Sequence, residues 1–329
     1  MKRLSIFILL SVLVCSNLLF AQRIFPGLGS QRAGISGFPF LKIGVNPRAA
    51  AMGESFIAIS DDASSLYWNP AASVRMKSNE AMFAHTLWFA DIQHNYGAYV
   101  HHLTESDVIG ASIIALTTAD MERTTVLQPR GDGSFFSYRD LAVGITYSRA
   151  MTDQFSFGIT GKYVDETLAE LTMQTFLIDL GAYYYTGYAN SRFAFVLSNF
   201  GGTAKPNGSV KVYGLGTVNS FQEFSPPTLF RLSFAIEPWQ TEEHRLTTSL
   251  QLNHPNDNAE NLAFGAEYAW AGMLFLRAGY KLNVEEQQIP SFGIGVKVPV
   301  DFTTVSFDYA NSRYGALGTA HRFSVAFSL

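Results

Sequence analysis

The feature that most constrains this chain is a two-residue alternation of apolar and polar side chains in segments of about ten residues. The segment 228–237 shows the pattern, with Phe230, Leu232, Phe234 and Ile236 opposed to Arg231, Ser233, Ala235 and Glu237. Because successive side chains of a β-strand point to opposite faces, each such segment predicts a strand with one apolar face.

Fourteen segments of this kind follow residue 79. They lie at about 81–90, 95–103, 107–117, 138–149, 154–164, 174–186, 191–199, 228–237, 244–254, 260–270, 273–283, 290–299, 302–310 and 320–329. Connections after even-numbered strands are short, whereas most odd-numbered ones are longer, above all 118–137 and 200–227. An even strand number with short and long connections in alternation is typical of an outer-membrane barrel.

A soluble β-sandwich would also alternate, with its apolar face turned inward. Three features favour a barrel with its apolar face turned outward. The segments are long enough to cross a bilayer when tilted, their apolar faces often end in aromatic residues, and their other faces mix Gly, Ser and both charge signs. The predicted fold is therefore all-β, a 14-stranded antiparallel transmembrane β-barrel formed by residues 79–329.

The first 21 residues predict a cleaved secretory signal peptide. Lys2 and Arg3 precede an apolar run, and Ala21 supplies the small residue before the cleavage point. Without Lys2 and Arg3 the chain has 21 basic and 27 acidic residues, a formal net charge near −6, which argues against nucleic acid as a partner. Export, a charged fraction of only 15% and no later apolar run long enough for a membrane helix predict a cell outer membrane location, in contact with lipid.

Residues 22–78 do not alternate, and a short helix is predicted near their middle. Asn46 is expected to cap it, Pro47 suits its first position, Met52 extends it and Gly53 ends it. Arg48, on the same helix, is expected to pair with a carboxylate of the barrel lumen.

Two more short helices are expected in this region. Ser60, Asp61 and Asp62 precede one, and Asn69 followed by Pro70 begins another. The adjacent carboxylates of Asp61 and Asp62 are expected to point apart and to cap N–H groups, which excludes a paired acid and base. These helices have too little apolar surface to form a domain, so residues 22–78 are predicted to be a lead and a helical plug inside the lumen.

Two sequence stretches resemble a known superfamily. Asp-Asp-Ala-Ser at 61–64 followed by Asn-Pro-Ala at 69–71 resembles the plug of FadL-type transporters of hydrophobic compounds, which also have fourteen strands. Phe-Leu-Lys-Ile-Gly at 40–44 with Pro-Arg-Ala-Ala-Ala-Met-Gly at 47–53 resembles, within that superfamily, the PorV/PorQ family of outer-membrane proteins associated with type IX secretion.

The resemblance implies two alternative functions. A PorV/PorQ-like protein would be a component of type IX secretion that binds or shuttles exported cargo, its partners being secretion components or cargo C-terminal sorting domains. A FadL-like protein would instead be a channel for uptake of a hydrophobic ligand. A structural barrel with neither activity is a third interpretation.

No catalytic, cofactor-binding or metal site is predicted. His101 and His102 are neighbours on opposite faces of a strand, and no helical His-x-x-x-His spacing occurs. The sequence has neither a nucleophile-elbow motif nor a dinucleotide fingerprint, so we expect no enzyme and no cofactor. Charges of both signs on the predicted lumen faces favour a charge-paired, blocked lumen over an ion-selective pore.

The two long connections supply the candidate partner-binding residues. Exposed aromatic side chains beside Gly and Pro at a barrel mouth can dock a protein, line a greasy pocket or fold over the mouth as a lid. The candidates are Arg123, Arg130, Phe135 and Phe136 in the first connection and Tyr213, Phe221 and Phe224 in the second.

Overall fold

The computed structural model describes residues 34–212, 216–284, 287 and 289–329. Fourteen antiparallel strands form one closed barrel, in which the first strand pairs with both the second and the last. This confirms the predicted fold class. The signal peptide, the beginning of the lead and Tyr213 lie outside the described residues.

The barrel strands are numbered β1 to β14 in chain order. They are Glu80–Leu87, Gln93–His102, Asp107–Thr117, Tyr138–Ala150, Phe155–Leu168, Leu171–Tyr185, Arg192–Gly201, Leu229–Gln240, His244–Pro255, Asn261–Trp270, Leu274–Leu282, Ser291–Val300, Thr303–Arg313 and Thr319–Ser328. Each overlaps the segment that the alternation predicts. Closure leaves no unpaired edge, which matters in lipid because no water is present to satisfy backbone N–H and C=O groups.

Strand β8 illustrates how the pattern is used. Phe230 is 40% exposed and faces outward, whereas Arg231 is 4% exposed and Ser233 and Ala235 are buried on the lumen side. The same outward exposure of large apolar side chains recurs around the wall, for example at Phe264, Phe292 and Phe323. The apolar stripe is therefore on the outside of the closed barrel, where lipid would contact it. Among the described residues, no helix is long and apolar enough to cross a bilayer.

One connection differs from its prediction. The sequence pattern places a nine-residue loop between β5 and β6, but these strands continue to Leu168 and Leu171 and leave only Ala169 and Glu170 as the turn. The outer ends of both strands are polar, and Gln174 donates to Asp165 across the pair at 2.7 Å. The apolar alternation fades where the strands leave the lipid, although their backbone pairing continues.

The plug precedes β1 and consists of short helices connected by extended chain. The helices are α1, Pro47–Ala51, and α2, Ser65–Trp68, with 3-10 turns at Pro39–Lys42 and Pro70–Arg75. Its large apolar side chains, including Phe40, Phe56, Ile57 and Trp68, are almost fully buried inside the barrel. Burial of one such side chain contributes about 1.5–3 kcal/mol, so the plug obtains its stability from the wall and not from its own short helices.

Candidate functional site

Arg48 of helix α1 joins the plug to the barrel wall. Its Nε and Nη2 donate to the two carboxylate oxygens of Glu267 at 2.8 and 2.9 Å. Glu267 also accepts from Nε of Arg277 at 2.6 Å, and Nη1 of Arg277 reaches Asp308 at 2.5 Å. The lumen carboxylate that Arg48 requires is thus supplied by β10, in a chain of ion pairs that continues to β13.

Asp61 and Asp62 both contact this same guanidinium. Nη1 of Arg48 hydrogen-bonds to Asp61 and lies 3.2 Å from Oδ2 of Asp62. The expectation that the two carboxylates point apart is therefore wrong, because residues 60–62 are not helical and α2 begins only at Ser65. Asp62 still accepts the N–H of Ser64 at 3.0 Å, whereas Asp61 forms an ion pair and caps no helix.

The two aspartates respond to this environment in opposite directions. Burial opposes the charge of Asp61, but the contact with Arg48 outweighs it and lowers the pKa of Asp61. Burial raises the pKa of Asp62, and repulsion from Asp61 adds to that rise despite the attraction of Arg48. The ionised form of Asp61 is thus favoured in the folded plug, whereas that of Asp62 is disfavoured.

Two asparagines begin short helices, and only one caps with its side chain. Oδ1 of Asn69 accepts the N–H of Ala71 at 3.1 Å, as expected for a cap before Pro70. Asn46 occupies the N-cap position of α1, but its Oδ1 accepts from Nε1 of Trp68 at 2.8 Å instead. Pro47 already fixes the first turn and lacks the N–H group, so the Asn46 side chain is available to orient a buried indole.

The plug lies directly against glycines of the wall. A Cβ on Gly279 would be 2.0 Å from the carbonyl carbon of Met52 and 2.1 Å from the nitrogen of Gly53. Gly53 itself has a φ of 63°, which suits the residue that ends α1. On the opposite wall, a Cβ on Gly158 would be 2.4 Å from the carbonyl carbon of Pro70. These glycines allow backbone-to-backbone contact that any side chain would prevent.

Strand side chains also satisfy plug backbone groups, which the sequence pattern did not reveal. Oε1 of Gln251 accepts from the N–H groups of Phe56 and Ile57 at 3.0 and 3.2 Å. Oε1 of Glu80 accepts from the N–H of Ala63 at 2.7 Å. A buried polar side chain that faces the lumen is the only sequence signal for such contacts, and it does not identify the partner.

Most remaining lumen charges are paired. Lys162 lies 2.8 Å from Asp179, Arg192 lies 2.9 Å from Glu237, and Lys281 lies 2.5 Å from Glu54 of the plug. Arg231 instead lies over the ring of Trp68, 5.2 Å from its centroid. These contacts fill the cross-section of the barrel with neutralising pairs and plug side chains.

The described chain begins at the end of the barrel that carries the long connections. Ser36 pairs with Ser225, the N–H of Phe38 donates to Glu166 at 3.0 Å, and Lys42 binds Asp257 at 2.7 Å. Short periplasmic turns mark the opposite end, where Arg75 donates to the carbonyl oxygens of Asp153 and Thr152 at 2.7 and 3.2 Å. The described part of the plug therefore runs from the outer mouth to the periplasmic mouth.

The candidate residues of the first outer connection lie on a small hairpin. Met121–Glu122 pairs with Phe135–Phe136, and Arg123 lies over the Phe136 ring with its side chain 2.5 Å from Glu170. Arg130 is exposed and Phe135 is 62% exposed. The sequence analysis did not single out Val126 and Leu127, which are 83% and 72% exposed at the tip. Two adjacent apolar residues in a predicted loop are the signal that could have identified them.

The candidates of the second connection are less accessible. Phe224 packs against the apolar core and pairs with Ala204, next to the lead at Gly37. Phe221 is half-buried. Phe224 thus packs between the second connection and the lead, whereas the hairpin of the first connection offers the freer apolar surface.

A cavity of about 750 Å³ opens at the periplasmic end. The turns around Glu242, Gly272 and Asp301 surround its entrance, and Asp61, Arg245 and Lys297 are among the residues that line it. A smaller cavity of about 110 Å³ adjoins Arg48 and shares Asp61, Arg245 and Lys297 with the larger one. Open volume in this barrel is therefore found on the periplasmic side of the Arg48 contacts.

Solved structures with the same fold are barrel transporters. The toluene transporter TbuX of Ralstonia pickettii has a TM-score of 0.56 and 14% identity, covering 86% of this chain and 97% of its own. The Pseudomonas putida toluene transporter TodX has a TM-score of 0.55 and 13% identity, covering 87% of this chain and 97% of its own. A Pseudomonas aeruginosa FadL homologue has a TM-score of 0.56 and 11% identity, covering 86% of this chain and 97% of its own. At this identity the similarity shows the FadL-like fold alone.

The sequence itself gives a narrower match. No curated protein matches it significantly. The family described as type IX secretion system protein PorV matches residues 28–254, which include the plug, the outer hairpin and strands β1 to β8. This match covers more than half of the 329 residues. The chain therefore belongs to the PorV family and is an outer-membrane β-barrel.

Proposed function

We propose that this protein is a non-enzymatic outer-membrane component of type IX secretion that binds exported cargo at the cell surface through its outer connections. The observation that carries the proposal is the PorV family match over residues 28–254. The proposed ligands are the C-terminal sorting domains of cargo, and residues 1–21 are proposed to direct export as a cleaved signal peptide.

The outer mouth supports docking more than passage. Phe38, Phe40 and Leu41 are buried beneath the outer connections, and Pro226 and Pro227 are buried above them. A protein that approaches from outside would meet these connections before it reaches the plug. Recognition would then depend on side chains that project from these connections.

The outer hairpin supplies suitable side chains. Val126, Leu127 and Phe135 expose apolar surface, and Arg130 is exposed beside them in the chain. Aromatic and arginine side chains dominate the binding energy of many protein interfaces, with near-neutral residues around them. The hairpin belongs to the connection between β3 and β4, outside the barrel strands. A partner can therefore reach it without displacing the plug.

Binding of a purified cargo sorting domain to the detergent-solubilised barrel tests the proposal. Phe135→Ala is expected to weaken binding about tenfold or more, the loss typical of an interface anchor. Phe302→Ala is the matched control, because Phe302 is 87% exposed on a periplasmic turn at the opposite end. A sorting domain that does not bind, or export that continues normally in a deletion strain, would contradict the proposal.

A hydrophobic-solute channel is the second candidate, and one feature of the wall favours it. The pairing of β6 with β7 shifts register between Ile178 and Leu180, an irregularity of the kind that a sideways exit to lipid would use. On the lumen side of this irregularity, Asp179 accepts the N–H of Asn199 at 2.7 Å and pairs with Lys162.

Uptake measurements separate the two candidates. A channel predicts that labelled toluene or fatty acid enters wild-type cells faster than deletion cells, and that secretion is intact in both. Replacing Asp179 and Lys162 together, by Asn and Met, would then change the uptake rate. Equal uptake with and without the protein would exclude the channel.

A further inference from the structure

Two basic side chains without an acidic partner lie where the larger and the smaller periplasmic cavities meet. Arg245 of β9 and Lys297 of β12 both line the large cavity and the smaller one beside it. Neither forms an ion pair within 4.0 Å in the described part of the chain, and Nε of Arg245 is buried without a hydrogen-bond partner. Their charges are therefore directed at the cavity itself.

The carboxylates that line the smaller cavity are already occupied. Asp61 and Asp62 bind Arg48, and Asp308 binds Arg277. Glu80 accepts from the N–H of Ala63 and from the hydroxyl of Ser328, both at 2.7 Å. These contacts hold the carboxylates of the smaller cavity in fixed positions and leave Arg245 and Lys297 as the free donors beside it. Glu242, Glu243 and Asp301 lie on the turns at the mouth of the larger cavity.

Phe275 lies on the wall between the strands that carry the two cations, with the Arg277 guanidinium 5.3 Å from its ring centroid. Phe275 of β11 lines both cavities, and the pairing of β11 with β10 and of β10 with β9 places Phe275, Ala269 and Arg245 at one level of the wall. On the other side, the backbone N–H of Lys297 donates to Met273 at 2.8 Å, two residues from Phe275. A ligand between the two cations would therefore contact an aromatic ring as well.

We propose that this cavity binds a phosphate group presented from the periplasm, with Arg245 and Lys297 as its contacts and Phe275 against any organic part of the ligand. A phosphate monoester carries a charge of about −1.5 to −2 at neutral pH and has three acceptor oxygens, so one group can satisfy two cations. A guanidinium and an ammonium group are both common phosphate ligands. The opening at the short-turn end gives periplasmic molecules access without displacement of the plug.

Calorimetry on the full-length protein in neutral detergent at low ionic strength tests the site. The probes are inorganic phosphate and phenyl phosphate, with benzyl alcohol as the uncharged comparison. Phenyl phosphate is expected to bind and benzyl alcohol is not. The double variant Arg245→Gln with Lys297→Gln is expected to bind phenyl phosphate at least tenfold more weakly, while Arg313→Gln, an exposed cation at the outer end, leaves binding unchanged.

The outcomes also identify the source of the phosphate. Tighter binding of phenyl phosphate, reduced by Phe275→Ala without a change for inorganic phosphate, would assign the site to an organic monoester such as a lipid-derived headgroup. Equal affinity for both probes would assign it to free phosphate. Absence of binding by both probes, or unchanged affinity of a double variant that still migrates as a folded barrel before heating, would overturn the proposal.

Discussion

At the scale of single residues, Arg48 pairs with one carboxylate of the wall, Glu267, and with two of the plug, Asp61 and Asp62. It contacts Glu267 through two parallel hydrogen bonds and reaches Asp61 and Asp62 with a third nitrogen. This side chain is only 13% exposed, so its charge is poorly compensated by water. The planar guanidinium can serve three carboxylates at once, which a lysine ammonium could not do with the same geometry.

We expect Arg48→Ala to loosen the plug by about 3–5 kcal/mol, the cost of breaking a buried ion pair and leaving its partner charges. Amide hydrogen exchange of residues 46–69 in the folded barrel measures this loss directly. The exchange rates of Arg48→Lys should lie between those of Arg48→Ala and the wild type, because lysine keeps the charge and loses the paired hydrogen bonds. Unchanged exchange in Arg48→Ala would show that apolar packing alone retains the plug.

The two aspartates beside Arg48 predict opposite effects of charge removal. Burial opposes the charge of Asp61, but Arg48 lowers the pKa of this carboxyl in the folded plug. Ionised Asp61 therefore stabilises the plug at neutral pH, and this stabilisation is lost as the pH falls through the lowered pKa. The pKa of Asp62 is raised by burial and by Asp61, so its ionised form destabilises the plug until the pH falls through the raised value.

Asp61→Asn should therefore destabilise the plug at pH 7, and Asp62→Asn should stabilise it. The asparagine at 62 can still accept the N–H of Ser64, so that hydrogen bond is retained. The measurement is the exchange rate of plug amides between pH 7 and pH 4 for both variants and the wild type. If both substitutions changed the exchange rate of the plug amides in the same direction, the opposite pKa shifts of Asp61 and Asp62 would be contradicted.

At the scale of elements, the plug and the strands fit together through glycine positions as much as through ion pairs. Met52 and Gly53 contact the backbone of β11 at Gly279 and of β10 at Gly265. Pro70 and Ala71 contact β5 at Gly158 in the same manner. Since a strand glycine normally weakens a sheet, its presence on the lumen face is explained by close approach of another backbone.

Gly279→Ala is expected to displace the plug without unfolding the barrel. The new methyl carbon would lie 2.0 Å from the Met52 carbonyl carbon, far inside van der Waals contact, and the atoms it meets are backbone that cannot rotate away. Single-channel recording in planar bilayers should then show conductance that the wild type lacks. Gly161→Ala is the control, because nothing lies within 4 Å of the added atom; conductance in both or in neither would contradict this role of Gly279.

The elements differ in how far sequence determines them. A strand such as β8 is encoded locally, because one alternating stretch fixes both its extent and its lipid face. The contact of Gln251 with the N–H of Phe56 joins residues 195 positions apart, and no local pattern identifies such a partner. The same limit explains why Asn46 was expected to cap a helix when its side chain instead binds Trp68.

At the scale of the whole molecule, the plug gives the chain an unusual path. The first barrel strand begins and the last one ends at the periplasmic end, where the N–H of Leu329 donates to the carbonyl oxygen of Asn79 at 2.8 Å. The described chain nevertheless begins at the outer mouth, where Ser36 pairs with Ser225 and Lys42 binds Asp257. Residues 46–75 pack inside the lumen below, where most of their apolar side chains are buried against the wall.

Ile35→Cys, at a side chain that is 54% exposed near the start of the described chain, should therefore be labelled by a membrane-impermeant maleimide on intact cells. An epitope tag after Leu329 should be labelled only when the outer membrane is permeabilised, because that terminus borders the periplasmic cavity. Insertions beside Leu127 and beside Glu243 provide matched outer and periplasmic references, since both lie on exposed connections. Labelling of Ile35→Cys only after permeabilisation, as for the tag at Glu243, would show that the described chain does not begin at the outer mouth.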